Sequence, residues 1–365
     1  MPAPRDENLQ LSHQEYDRRE IRLESYPSRV QIGTDNRCNM RCPFCLASAY
    51  REVGRVHLQD QHLEQNPLEL FERLVPYMKY WEFLSLTGPG ESLINPRLPE
   101  ILALIRENTD CHIVVTTNGV LIDVKLARTL VEHRVQEVSV SLDSLDPELY
   151  PKLRVNGTLT EALAGISHLQ EASRQSANGP LEISLAPTFH RLNVEELPNF
   201  VEFAHRSSIP TVQASPLQVY RADWVEHSLS HFPKLTRQMA TRAEKRAGEL
   251  GVNFINNLRM VYLNRGRGPL GRLKSPEQID FSTDPSTCRK PWDNLYVEPD
   301  GEVRPCCHQS PIYGNLYETE FKEIWNGPEA TLLRRQMVSG DLPDACRDCY
   351  EFNRHDPAVM IQLLE

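Results

Sequence analysis

Cys38-Asn39-Met40-Arg41-Cys42-Pro43-Phe44-Cys45 places three cysteines at spacing C-x3-C-x2-C, directly after an apolar run, Val30-Gln31-Ile32-Gly33-Thr34, that reads as a strand. Three thiolates on one short loop can hold three irons of a 4Fe-4S cubane, which ordinarily takes four cysteines. The spacing implies either a distant fourth cysteine or an iron left open for another molecule. A zinc loop and three unrelated thiols are the plainer alternatives.

The rest of the chain bounds the choice. Its 365 residues suffice for one large or two modest domains. Apolar residues make up 40% and charged residues 25%, ordinary for a folded globular chain. A net charge of −10 argues against a nucleic-acid partner, which needs a basic footprint. The polar start, Met1-Pro2-Ala3-Pro4-Arg5, lacks the apolar core of a signal peptide. No apolar run approaches the roughly 18–20 residues of a membrane span. These features predict a cytoplasmic protein with no membrane partner. In that compartment thiols stay reduced, so grouped cysteines read as metal ligands rather than disulfides. The nine cysteines fall at 38, 42 and 45, at 288, at 306 and 307, and at 346 and 349, with Cys111 alone.

From Val30 onward strand-like and helix-like patterns alternate. Strands are predicted at Val30–Thr34, Phe83–Thr87, Ile113–Thr117, Glu137–Leu142, Leu181–Ala186 and Thr211–Ala214. Helices are predicted at Pro67–Lys79, Leu98–Arg106, Asp123–His133, Thr160–Ser173, Val194–Ser207 and Lys234–Leu250. Leu68, Leu70, Phe71, Leu74 and Val75 show the three- and four-residue apolar steps of a helix. Such alternation implies parallel strands joined by right-handed crossovers, two repeats short of an eight-fold barrel. The fold class is therefore α/β. A polar lead (1–28), with a short helix near Gln14–Glu20, precedes the barrel region (29–256). A stretch at 257–286, glycine-rich and basic from Asn264 to Lys274, reads as a solvated linker rather than an anion-binding loop. A cysteine-rich domain (287–352) and a tail (353–365) follow.

With an aromatic, Phe44, just before the third cysteine and the loop placed after the first barrel strand, the motif resembles the radical S-adenosylmethionine (SAM) superfamily. The resemblance implies a partial (β/α)6 TIM-like barrel. It implies a 4Fe-4S cluster held by Cys38, Cys42 and Cys45, whose open iron chelates the amino and carboxylate groups of S-adenosyl-L-methionine. An electron, from a flavodoxin- or ferredoxin-type donor, then cleaves the sulfonium to a 5′-deoxyadenosyl radical that abstracts hydrogen from a substrate carbon.

In such sheets ligands bind at the carboxyl ends of the strands. Strand 2 ends in Thr87-Gly88-Pro89-Gly90-Glu91, similar to the family's GE motif, which implies that Gly90 and Glu91 meet the methionine amino group. Asn118 ends strand 3. Ser141 and Asp143 end strand 4 and can reach ribose hydroxyls. Arg154 matches a family arginine that pairs with the SAM carboxylate, and Gln213 lies where the adenine is expected. Each has a plainer role: turn glycine for Gly90, helix cap for Ser141 or Asp143, surface charge for Arg154.

Downstream, Cys288 precedes a predicted β-hairpin, Leu295–Glu298 and Glu302–Arg304, turned by Pro299-Asp300-Gly301 and followed by Cys306-Cys307. Gly314-Asn315-Leu316, a helix signal at Phe321–Asn326, and Cys346-Arg347-Asp348-Cys349 come next. Four thiolates on such pieces suit a tetrahedral zinc or a cubane. The layout resembles the SPASM/twitch extension of radical SAM enzymes. The longer form continues with two more cysteines, where this chain has His355 and Val359. The resemblance thus implies one auxiliary 4Fe-4S cluster, held by Cys288, Cys306, Cys346 and Cys349.

Three reactions fit. A fully ligated auxiliary cluster can take an electron from the substrate radical, a net dehydrogenation such as oxidation of an aminocyclitol alcohol. A thiol can return hydrogen to the opposite face, an epimerisation; Cys307 is the candidate donor, its plainer reading being a buried neighbour of Cys306. A ribosomal peptide can be crosslinked or epimerised. Only 37 residues precede Cys38, short for a leader-peptide-binding domain. The expectation is a redox modification of a small molecule such as a sugar, with a peptide maturase as the alternative and a non-catalytic iron–sulfur sensor as the other class.

Overall fold

The computed structural model describes residues 4–47, 67–263, 288–307 and 310–347. Cys349, His355 and the glycine-rich basic stretch lie outside the described residues. Two compact units partition the chain: residues 1–37, 60–114 and 274–352 form one, and residues 38–59, 115–273 and 353–365 the other. The dividing line falls within a strand, so neither unit coincides with the barrel and cysteine-rich regions read from sequence.

The strands are β1 (Arg29–Ile32), β2 (Phe83–Leu86), β3 (His112–Thr117), β4 (Glu137–Val140), β5 (Glu182–Leu185), β6 (Thr188–Phe189), β7 (Thr211–Pro216), β8 (Asn253–Asn256), β9 (Asn294–Val297), β10 (Glu302–Arg304) and β11 (Gly314–Asn315). In the first unit the order is β11-β10-β9-β1-β2-β3; in the second it is β3-β4-β5-β7-β6, with β8 also on β7. The pairings β1–β2, β4–β5, β5–β7 and β7–β8 are parallel. This is the crossover pattern that the alternation predicts.

The longer helices are α1 (Pro4–Asp17), α2 (Pro67–Met78), α3 (Leu98–Asn108), α4 (Val124–Glu132), α5 (Leu159–Gln175), α6 (Leu197–Arg206), α7 (Pro233–Leu250) and α8 (Pro328–Ser339). In α2 the residues that recur at helical spacing, Leu70, Phe71, Leu74 and Met78, are all fully buried. Each such side chain contributes about 1.5–3 kcal/mol by leaving water. The helix starts are written in side chains. Asp123 caps α4 through the Leu126 N–H at 2.7 Å, and Thr158 and Glu161 form a capping box on α5. Gly251, at φ +71°, ends α7.

Two findings differ from the sequence reading. The lead carries a full helix, α1, upstream of the short one expected. It is polar on nearly every side, so no apolar period marks it, and it is held by Tyr16 packing edge-on against Trp292 with centroids 5.4 Å apart. Secondly, the hairpin is not a separate layer. Its first strand, β9, pairs in parallel with β1 in register Arg29↔Asn294 to Ile32↔Val297. β1 would otherwise present an open edge. The hairpin turns at Gly301, φ +90°, where only glycine is unstrained, and Gly314-Asn315 adds a third strand on β10.

The lead is tied to the cysteine-rich segment by side-chain hydrogen bonds to its backbone. Asn326 Oδ1 accepts from Leu23 N–H at 2.9 Å and its Nδ2 donates to Leu23 O at 2.8 Å. The indole N–H groups of Trp292 and Trp325 donate to Glu20 O and Ser25 O.

Candidate active site

In the first unit, the residues leading into the cysteine loop are fixed by the loop after β2. Thr34 Oγ1 donates to Ser92 O at 2.8 Å, and Asn95 Nδ2 donates to Thr34 O at 2.6 Å. Glu91 N–H donates to Arg37 O at 2.8 Å. Gly90 lies so close to this backbone that an added Cβ would stand 2.5 Å from Arg37 O and 2.6 Å from Asp35 O. That is the physical demand for glycine here. The buried Glu91 carboxylate also accepts from Leu93 N–H at 3.2 Å, capping the 3-10 turn Ser92–Ile94.

In the second unit, Cys38, Cys42 and Cys45 lie on a loop whose own backbone is pinned by Arg41 N–H donating to Val155 O at 3.0 Å. Asn118, at the end of β3, donates from Nδ2 to Asn39 Oδ1 at 2.8 Å, between the first two cysteines in sequence. Arg154 sits with Nη1 4.0 Å from Cys42 Sγ and Nε 2.6 Å from Asp143 Oδ2. Asp143 is held in turn, its Oδ1 accepting from Thr188 N–H at 2.8 Å and its carbonyl from Asn193 Nδ2 at 2.7 Å. Ser141 continues the β4 chain, its N–H bonded to Thr117 O. Gln213 lies mid-strand in β7 and is exposed, between the buried Val212 and Ala214.

Phe44 is the centre of an aromatic cluster. Its ring meets His190 at 4.5 Å, His227 at 5.1 Å and Trp224 at 5.7 Å between centroids. A cleft of about 260 Å³ opens beside it, lined by Arg41, Cys42, Phe44, Arg221, Trp224 and His227 among others. His190 is buried, and that burial lowers its pKa to about 4; Asp143 opposes the shift and His227 adds to it. His190 Nδ1 accepts from Leu192 N–H, so the neutral ring carries its proton on Nε2. None of His190, Trp224 and His227 was visible as a site residue in the sequence. His190 follows β6, and Trp224 and His227 lie on the 3-10 segment Ala222–His227; neither place carries a motif, and only the fold gathers them around Phe44.

The donor set fits an iron–sulfur cluster with an added ligand. None of the described cysteines is joined in a disulfide. Burial pushes the Cys42 thiol up to about 12; Arg154 pulls it down, while Cys45, Asp143 and Cys38 push it further up. Thiols that oppose one another's ionisation are what a cationic iron core resolves, since each must bind as thiolate. Among the described residues no three His, Cys, Asp or Glu side chains close on one point as the ligands of a single ion do; a cubane asks instead for one thiolate per iron. Among the described residues the buried Tyr150 hydroxyl, acted on by Arg154, Asp143 and Cys42, has no hydrogen-bond partner, which suits it to a polar ligand.

Of the auxiliary set, Cys288, Cys306 and Cys346 are described. All three act electrostatically on one residue, the buried Tyr313, which places them in one neighbourhood. The Cys306 turn is shaped by Ser310 Oγ donating to Cys306 O and Asn294 Nδ2 donating to Pro305 O. Cys307 is half-buried. Cys111, at the start of β3, is fully buried, with its thiol pushed up to about 11 by that burial.

Comparison with known proteins agrees with this division of labour. Residues 34–204 match the radical SAM superfamily, and residues 288–350 match the SPASM iron–sulfur cluster-binding domain. A PqqA peptide cyclase from Granulibacter bethesdensis is 23% identical over 336 residues, 88% of this chain and 79% of that protein. A GTP 3′,8-cyclase from Microcystis aeruginosa is 31% identical over 174 residues, 46% of this chain and 50% of that protein, so the chain spans only half of that relative. Streptococcus suis SuiB, in its crystal structure bound to S-adenosylmethionine, shares the fold with a TM-score of 0.65 at 16% identity, over 89% of this chain and 71% of that one. The first matched domain brings a 4Fe-4S cluster and SAM, and the second brings auxiliary iron–sulfur chemistry. Parallel strands with intervening helices, a three-cysteine loop after β1 and a cysteine-bearing hairpin thus have one origin: the chain is a radical SAM superfamily protein, a partial TIM-like barrel with a C-terminal SPASM-type iron–sulfur domain.

Proposed function

We propose that this radical SAM enzyme acts on a peptide, as a maturase that forms a crosslink or otherwise rebuilds a side chain of a ribosomal product. The observation that carries this reading is the extent of the likeness to the PqqA peptide cyclase: it runs through 88% of the chain and 79% of that protein. The GTP 3′,8-cyclase match covers half of its relative. It speaks for the barrel and not for the substrate. The sugar or aminocyclitol modification expected from sequence has less support than the peptide reading.

When bound, the cluster and SAM supply hydrogen-atom abstraction from an unactivated carbon. The protein's part is binding, placement and exclusion of water. Cys38, Cys42 and Cys45 would hold the first cluster, and Cys288, Cys306, Cys346 and Cys349 the auxiliary one. Arg154, oriented by Asp143, suits a carboxylate. Asn118 steadies the cysteine loop through Asn39. Phe44, with the neutral His190 packed against it, and Trp224 give the adjacent cleft an apolar wall, and Arg41 and Arg221 give it a polar rim on which a peptide can be oriented. A flavodoxin- or ferredoxin-type protein in the cytoplasm would deliver the electron. Among the described residues no helix is long and apolar enough to cross a membrane.

The test is anaerobic incubation of the reconstituted chain with SAM, reductant and short peptides encoded beside its gene. Mass spectrometry should find a peptide lacking two hydrogens per bond formed, with 5′-deoxyadenosine released. Turnover of sugars or aminocyclitols with every such peptide unchanged would reject the peptide reading. Deuterium entering the product from heavy water, lost in Cys307→Ala, would instead mark epimerisation with Cys307 as donor.

A further inference from the structure

Within the first unit, a buried phenol stands among the auxiliary cysteines and a buried guanidinium stands beside the phenol, and among the described residues neither has its full complement of partners. Tyr313 is 5% exposed. Its backbone N–H is bonded to Val303 O at 2.7 Å, which fixes it next to β10, three residues before Cys306. Its hydroxyl has no hydrogen-bond partner among the described residues. Leaving a buried hydroxyl unmatched is costly, so such a group calls for an acceptor. Cys288, Cys306 and Cys346 all act on it electrostatically, as does Arg334.

Arg334 is fully buried. Its Nε donates to Pro291 O at 2.9 Å, three residues after Cys288, and its Nη1 donates to Ile21 O at 3.2 Å. The guanidinium lies over the Trp325 ring, 4.6 Å from the centroid. Its Nη2 has no partner, and no carboxylate is ion-paired with it among the described residues. The carboxylate that acts on it, Glu15, is itself taken up by Ser25 and Glu24 N–H. A buried cation bonded only to neutral carbonyl and amide oxygens is costly unless an anion compensates it. A cubane with four thiolates is such an anion.

We propose that Tyr313 and Arg334 raise the reduction potential of the auxiliary iron–sulfur cluster, Tyr313 by donating a hydrogen bond from its hydroxyl to a cluster sulfur and Arg334 by compensating the cluster's negative charge. Cluster potentials respond to net charge and to hydrogen bonds on the sulfurs. Both groups favour the more negative, reduced state. They act as positioning and tuning residues and touch no substrate. The proposal rests on Cys288, Cys306 and Cys346 being ligands of that cluster.

The experiment is a redox titration followed by electron paramagnetic resonance. It uses the reconstituted full chain carrying Cys38→Ala, Cys42→Ala and Cys45→Ala, so that the signal comes from the auxiliary cluster. Tyr313→Phe keeps the ring and should lower the midpoint by about 59 mV, equivalent to a tenfold drop in the reduced-to-oxidised ratio of a one-electron couple. Arg334→Met should lower it further, and Arg334→Lys should restore most of the shift. If Arg334→Met fails to load iron, Tyr313→Phe decides. An unchanged midpoint in Tyr313→Phe overturns the proposal. No auxiliary signal in the parent background overturns the ligand reading beneath it, and does so before either residue is altered.

Discussion

Arg154 Nε stands 2.6 Å from Asp143 Oδ2, with the two side chains only 15% and 12% exposed. An ion pair so far from water punishes the loss of one partner more than the loss of both. Asp143→Ala leaves a buried guanidinium uncompensated and should cost about 3–5 kcal/mol. In a double-mutant cycle with Arg154→Ala, urea denaturation should show that the pair of changes costs well under the sum of the two. Additive losses would mean that the contact carries no coupling.

Gly90 gives a sharper local test. A Cβ there would meet Arg37 O and Asp35 O at 2.5 and 2.6 Å. Gly90→Ala must displace the backbone that leads into Cys38. The reconstituted variant should bind about four fewer irons per chain, one cubane's worth. Gly248→Ala, where nothing lies within 4 Å, is the control. It should keep its iron and gain about 0.5–1 kcal/mol, because alanine suits the interior of α7 better than glycine does.

His190 makes stability depend on pH with a definite sign. Its folded-state pKa is lowered by burial to about 4, against an ordinary value of 6.5. Between those values the unfolded chain binds more protons than the folded one, so stability falls as pH drops from about 6.5 towards 4. The loss is at most about 3 kcal/mol. The denaturation midpoint of His190→Leu should vary less over that window than that of the parent. Parallel pH curves would remove His190 as the cause.

Asn326 tests the tie between the lead and the cysteine-rich segment. Its side chain makes two hydrogen bonds to the backbone of Leu23 and accepts one from Arg334 Nη1 at 3.3 Å. Asn326→Ala strands those partners and should cost about 2–3 kcal/mol in thermal or urea denaturation, with Leu23 and its neighbours losing hydrogen-exchange protection. Protection that is retained would show that the indole bonds from Trp292 and Trp325 hold the lead without it.

The barrel strands and helices were legible because their signals are local. The apolar steps of α2, the Asp123 cap of α4 and the Pro299-Asp300-Gly301 turn each lie within a few residues of what they specify. The polar helix α1 has no periodic face and is held by a ring contact with Trp292, far along the chain. The β9–β1 pairing joins segments from opposite ends, and nothing in Asn294–Val297 names its neighbour. The cysteine spacings announced their chemistry, since the ligand type and the interval are both in the letters. The aromatic cluster around Phe44 did not: His190 follows β6, while Trp224 and His227 share the 3-10 segment Ala222–His227, and no motif links the two places. Tyr313 and Arg334 were hidden for a related reason, because what marks them is a missing partner, which exists only once the chain is packed.

The parallel pairing of β9 with β1 also sets an order of events. β1 has β2 on one side and β9 on the other, and the second neighbour, Asn294–Val297, is translated long after β1 itself. A nascent chain therefore carries the strand ahead of the three-cysteine loop half-paired until β9 has emerged from the ribosome. Contacts so distant in sequence close slowly. Insertion of the first cluster should thus depend on completion of the C-terminal hairpin, and truncation before Asn294 should cost the chain an iron site whose own cysteines are all present.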